Sequence, residues 1–179
     1  MRHRFSLLSA CAFAFLSAAL LHAQGVTKES VPGVTNFARV EMTIACAGAT
    51  TPGAVGELKK MGYASVIDLR QANEPDADID GESAATRAAG LNFVHLPFNA
   101  ASPDPALVDN FLKAVTDGKN QPAFVHCASG NRAAALWMIK RMQLDKWDAD
   151  RAGTEAAALG LTNSALKTFA LDYVRTHKP

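Results

Sequence analysis

A thiol, a glycine and a guanidinium fall within six residues at Cys127-Ala128-Ser129-Gly130-Asn131-Arg132, with His126 immediately before them. A thiol can attack, a guanidinium can hold two oxygens of one anion, and a glycine frees the backbone to turn sharply. The apolar run Pro122-Ala123-Phe124-Val125 precedes this stretch, and a helical segment beginning at Arg132 and running through Ala133 to Ile139 follows it. A loop between a strand and a helix, with these residue types, is an anion cradle. Loop N–H groups point inward, the helix N-terminus adds positive potential, and the arginine clamps an oxyanion. The same field favours thiolate over thiol, which makes Cys127 the candidate nucleophile. Ala128, Ser129, Gly130, Asn131 and Arg132 are the candidate anion-binding residues. A cation at a helix start opposes the helix dipole, so Arg132 implies an anion to hold. His126 either supports the thiolate through nearby backbone or is a buried polar residue, and the sequence leaves both open.

The elements that must position this loop are legible from periodicity. Phe37 to Ala45 carries apolar residues at Phe37, Val40, Met42 and Ile44 and is expected as a first strand. Thr51-Pro52 reads as an N-cap with proline at the first helical position, opening a helix to about Met61. Ala64 to Leu69 is a short buried strand. Arg70 to Asp80 is a polar loop whose acids, Glu74 included, are expected to be solvated, and Glu82 to Ala89 is helical. Asn92 to Leu96 is a strand and Pro105 to Thr116 a helix; helices over about 149–159 and 163–176 finish the chain. Strands alternating with helices predict an α/β fold, a central, mostly parallel sheet flanked by helices, with ligands at the strands' carboxyl ends.

The first 23 residues look like an export signal: a basic start at Arg2 and Arg4, an apolar run from Phe5 to Leu21, and Leu21-His22-Ala23 before Gln24. The expected organisation is a signal over 1–23, a lead-in over 24–36 and one domain over 37–177, exported to the periplasm and free of the membrane after cleavage. Without Arg2 and Arg4, the chain keeps 16 basic against 17 acidic residues, with no basic stripe for nucleic acid. Cys46 and Cys127 are the cysteines left. A bridge between them would switch the nucleophile off. The histidines form no zinc pattern, and the acids at Asp76, Asp78, Asp80 and Glu82 lack the spacing of a calcium loop, so no metal or cofactor is expected.

The motif His126-Cys127 through Arg132 resembles that of the protein tyrosine and dual-specificity phosphatase superfamily. Val66 to Arg70 with Glu74, Gly90 to Phe98, and Trp147 to Gly160 are similar to further segments of that family. The turn Gly48-Ala49-Thr50-Thr51-Pro52 narrows the resemblance to the bacterial beta-lactamase hydrolase-like phosphatase-like domain. The resemblance implies a dual-specificity-phosphatase-like fold and metal-independent hydrolysis of a phosphomonoester through a phosphocysteine on Cys127. The substrate would be a phosphorylated small molecule or a phosphoprotein. It also implies a general acid, for which Asp104 is the candidate; the bare sequence equally reads Asp104 as the N-cap before Pro105. Two departures stand out: four residues rather than five separate Cys127 from Arg132, and Ala133 occupies the place of a serine or threonine. A loop of this size also resembles that of a rhodanese sulfurtransferase, and a non-catalytic oxyanion- or partner-binding domain is the third reading.

Overall fold

The computed structural model describes residues 25–40 and 43–177; the expected export signal lies outside the described residues. The strands are β1 (Thr27–Lys28), β2 (Ala38–Val40), β3 (Ile44–Ala47), β4 (Ser65–Asp68), β5 (Asn92–His95) and β6 (Ala123–His126). They form one sheet in the order β1-β2-β3-β6-β4-β5. Pairing is parallel from β3 through β6 and β4 to β5, and antiparallel at β1–β2 and β2–β3. The helices are α1 (Val55–Lys60), α2 (Ile79–Ala88), α3 (Pro105–Thr116), α4 (Asn131–Gln143), α5 (Ala149–Leu159) and α6 (Ser164–Thr176).

Each face of the sheet buries its own cluster. On one side Cys46, Ile67, Val125 and Cys127 pack with residues of α3 to α6. On the other, Ala45, Val66 and Phe124 pack with Val55 and Leu58 of α1 and, partly buried, Ala85 of α2. The alternation of side chains along each strand sorts them between the two faces. Helix α4 is covered on all sides, and every residue from Arg132 to Ile139 is buried. That explains its apolar sequence, which has no polar face to offer solvent.

Four expectations are corrected. The single strand over 37–45 is two antiparallel strands in register Val40 to Ile44. The three-residue step from Phe37 to Val40 had already broken a strict alternation. The lead-in joins the sheet, since Thr27 and Lys28 pair with Arg39 and Ala38. Thr51 makes no capping hydrogen bond, and Pro52–Ala54 is a 3-10 turn before α1. Helix α2 also starts earlier than expected, because Asp78 caps it by accepting the Gly81 N–H at 2.9 Å. No helix among the described residues is long and apolar enough to cross a membrane.

Candidate active site

The cysteine loop springs from the carboxyl ends of the central strands. The Cys127 N–H donates to the Ala47 carbonyl at 3.2 Å, and the Leu69 N–H donates to the His126 carbonyl at 2.9 Å. The ends of β3, β6 and β4 are thereby tied together directly below the loop. Two loop carbonyls are drawn outward: Ala128 O accepts the Ala49 N–H at 2.9 Å, and Ser129 O accepts from Asn36 Nδ2 at 3.2 Å. In a trans peptide the next N–H points the opposite way, so those of Ser129 and Gly130 turn inward. The Gly130 N–H donates to Cys127 Sγ at 3.1 Å.

Two glycines make this geometry possible, for different reasons. Gly130 has φ +95°, a left-handed conformation that a side chain would strain. At Gly48 the obstacle is space: a Cβ would sit 3.2 Å from the Ala128 carbonyl oxygen and far too close to Thr35 Oγ1. Asn131 ties the far side of the loop to the connection between α5 and α6, its Oδ1 accepting the Thr162 and Asn163 N–H groups at 2.8 Å each.

Arg132 is buried and held in a fixed orientation. Its Nη1 donates to the carbonyls of Leu69 and Phe98, each at 3.0 Å, and to Glu74 Oε1 at 2.5 Å; Nη2 donates to Glu74 Oε2 at 2.7 Å. Glu74 therefore takes the end of the guanidinium fork. The Nε–H and the second Nη2–H remain on the side edge, the pair geometry that holds two oxygens of one anion. Burial pushes the Glu74 carboxyl up, but the Arg132 hydrogen bond and the Gln71 N–H outweigh it and hold it below the usual carboxylate range. For Arg132, burial acts against the charge, and the Glu74 hydrogen bond with the neighbouring Cys127 outweighs it, so the guanidinium holds its proton more tightly than usual.

Glu74 is thus not solvated, as the sequence reading had it, but the counter-charge of the loop arginine. The available signal was Arg132 itself, since a cation at a helix start calls for a partner. Asn36 and Gly48 were also missed as supports of the loop. Of the expected site residues, Cys127, Ala128, Ser129, Gly130, Asn131 and Arg132 come together as one cradle. His126 turns to the opposite face of the sheet, stacking on Phe124 with ring centres 5.7 Å apart. Asp104 caps α3, its Oδ1 accepting the Ala106 N–H at 2.9 Å, and its side chain is exposed. Ala133 is fully buried and brings no hydroxyl to the loop. Burial pushes the Cys46 thiol up, and nearby Cys127 adds to that, so the second cysteine stays protonated. Both thiols are free. Beside the loop lies a groove of about 380 Å³, lined by Lys28, Asn36, Ser129, Asn131 and Thr162 among others.

Comparison with known proteins agrees with this architecture. The chain is similar to the structure of P. aeruginosa TpbA, with TM-score 0.66 and 21% identity, covering 88% of this chain and 92% of that one. A second TpbA structure is a complex with phosphotyrosine. The catalytic core of the S. cerevisiae PP-IP phosphatase SIW14 matches with TM-score 0.65 at 19% identity, over 80% of this chain and 88% of that one. These likenesses show a shared fold. Two curated beta-lactamase hydrolase-like proteins, from strains of Xylella fastidiosa, are 33% identical over 99 residues, which is 50% of this chain. The match spans 22% of those relatives' length. The profile of the phosphatase-like domain of beta-lactamase hydrolase-like proteins matches residues 36–143, from the loop-supporting Asn36 to the end of α4. The chain belongs to that family of phosphatase-like domains.

Proposed function

We propose that the protein is a cysteine-dependent phosphatase that hydrolyses a phosphomonoester through a phosphocysteine. The observation that carries this is a buried Cys127 Sγ that accepts the Gly130 N–H, with Arg132 as its charged neighbour and Glu74 covering only the end of the guanidinium fork. A phosphoryl group seated there offers its equatorial oxygens to the loop N–H groups and to Arg132 Nε and Nη2. Cys127 attacks phosphorus in line, the Sγ–P bond forms, and the P–O bond to the leaving group breaks. Charge developing on the oxygens is met by fixed donors that need no reorganisation. Asp104 supplies the proton to the leaving oxygen through the carboxylate oxygen not used in capping α3. Water then attacks phosphorus, returns a proton to Asp104, and releases phosphate and the thiolate. The rest of the substrate occupies the groove beside the loop, where Lys28 suits an anionic or polar group. Proteins of similar fold, one solved in complex with phosphotyrosine and one a PP-IP phosphatase, support a phosphorylated substrate. The basic and apolar leader supports export to the periplasm, which an alkaline-phosphatase fusion to residues 1–23 tests directly.

A second reading rests on the loop's size. Four residues between Cys127 and Arg132 make a tighter ring than five, and a smaller sulfur-centred group fits it, giving rhodanese-like sulfur transfer through a persulfide on Cys127. Hydrolysis of p-nitrophenyl phosphate and thiosulfate-to-cyanide transfer, each run on the wild type and on Cys127→Ser, separate the two. Phosphate release lost in the variant is expected. Sulfur transfer alone replaces the first reading with the second. Neither activity, with vanadate still bound, leaves a non-catalytic oxyanion-binding domain.

A further inference from the structure

On the face of the sheet opposite Cys127, beneath the loop, four polar side chains are shut away from solvent. Asp68 and His126 are register neighbours at the ends of β4 and β6. Glu82 reaches them from α2, Thr86 follows one turn later on the same helix, and all four residues are buried. His126 Nε2 lies 3.1 Å from Glu82 Oε1 and 3.5 Å from Asp68 Oδ1. One ligand atom from each of these three residues lies within 4.8 Å of the other two. These approaches are not hydrogen bonds. Both ring nitrogens of His126, Asp68 Oδ2, Glu82 Oε1 and Thr86 Oγ1 have no hydrogen-bond partner. Buried polar atoms left without partners are rare, because each loses its hydration for nothing in return.

Charge points the same way. Two buried carboxyl groups face one imidazole, so with both ionised their two negative charges exceed anything the ring can supply. A divalent cation with a neutral ring makes the cluster neutral, which is the condition for burying such groups cheaply. The spacing also fits: donors about 2.0–2.2 Å from a shared ion lie roughly 3–3.5 Å apart along the edges of its coordination shell. A nitrogen with two carboxylate oxygens suits zinc and its first-row neighbours better than calcium or magnesium, which favour oxygen alone.

We propose that Asp68, Glu82 and His126 bind one divalent transition-metal ion of the zinc class, with water as a further ligand. The Arg70 N–H, donating to Asp68 Oδ1 at 2.7 Å, fixes the carboxylate in the way outer-shell partners orient ligands. The ion gives no atom to phosphoryl transfer. It clamps β4, β6 and α2 where the Glu74 and Cys127 loops begin. The proposal stands on the buried cluster and is independent of which reaction Cys127 performs.

The test uses Cys127→Ser protein, which removes the competing loop thiol, stripped with a chelator and titrated with Zn²⁺ and Co²⁺. One Zn²⁺ per chain is expected, raising Tm by about 5 °C or more at saturation. Co²⁺ should give d–d bands without a thiolate charge-transfer band. Adding Glu82→Gln should weaken Zn²⁺ binding about tenfold or more, while Asp80→Asn, on the same helix, leaves it unchanged. No stoichiometric binding at tens of micromolar metal, a thiolate band with Co²⁺, or equal affinity after Glu82→Gln overturns the proposal. Should the Gln variant fail to fold, the stoichiometry and the Co²⁺ spectrum decide alone.

Discussion

Helix α4 carries a buried arginine near each end, and the two are used in opposite ways. Arg141, in the last turn, donates from Nε and Nη2 to Glu155 and from Nη1 to Asp145, and its guanidinium packs over the rings of Trp137 and Trp147 at 4.7 and 4.2 Å. It stands where a cation complements the helix dipole. Arg132, in the first turn, stands where a cation opposes it. Its carboxylate partner covers only the end of the fork and leaves the side edge open. One arginine is consumed by the fold, and the other is held by the fold with the side edge of its fork left open, the edge the proposed function uses. Burial and an acidic partner are common to both, so neither separates them. The open donors do.

The comparison can be broken by exchanging the consequences. Arg132→Ala should lower kcat/KM for p-nitrophenyl phosphate by about 10³-fold or more, since it removes two donors aimed at the developing charge. Arg132→Lys should not restore it, because an ammonium has no planar fork. Arg141→Ala should instead cost about 3–5 kcal/mol of stability in urea unfolding, because Glu155 is left buried without its partner. Its kcat per folded molecule should stay near wild type. A catalytic loss at Arg141 equal to that at Arg132 would dissolve the distinction.

Glu74 sharpens it. Glu74→Gln should lower kcat/KM about 10- to 100-fold by freeing the guanidinium to leave the loop. It also predicts a pH dependence of stability. The native carboxyl titrates below its ordinary value of 4.5, so its stabilisation is complete above that pH. It is lost as the pH falls through the lowered native value. Thermal unfolding of wild type and Glu74→Gln should therefore differ at neutral pH and converge in acid. A gap that persists or widens in acid would contradict the pairing.

What could be seen in the sequence was local. Cys127 and Arg132 share one loop, and α3 and α5 have caps and periodicity within their own spans, so both helices were found at their observed bounds. Features that join distant segments were not visible. Glu74 meets Arg132 across 58 positions, and Asn36 reaches Ser129 across 93. Asp68, Glu82 and His126 meet only once β4, β6 and α2 are assembled. Scattered histidines and acids therefore concealed a cluster that sequence spacing does not encode. The hairpin at β2 and β3 failed for a smaller reason, since two very short strands carry too few residues for a period to register.

The same 93-position reach has a consequence for the order of folding. The loop is shaped by Asn36, Gly48 and Ala49 from one end of the chain and by Thr162 and Asn163 near the other. Such non-local contacts are rewarded only after the intervening chain has closed, so they form late. Until then Cys127 is an ordinary thiol on an unfinished strand, with no inward N–H and no guanidinium beside it. During that interval neither Cys127 nor Cys46 is yet held in the packing that keeps both thiols free. The loop completed last is therefore the one on which the proposed chemistry depends.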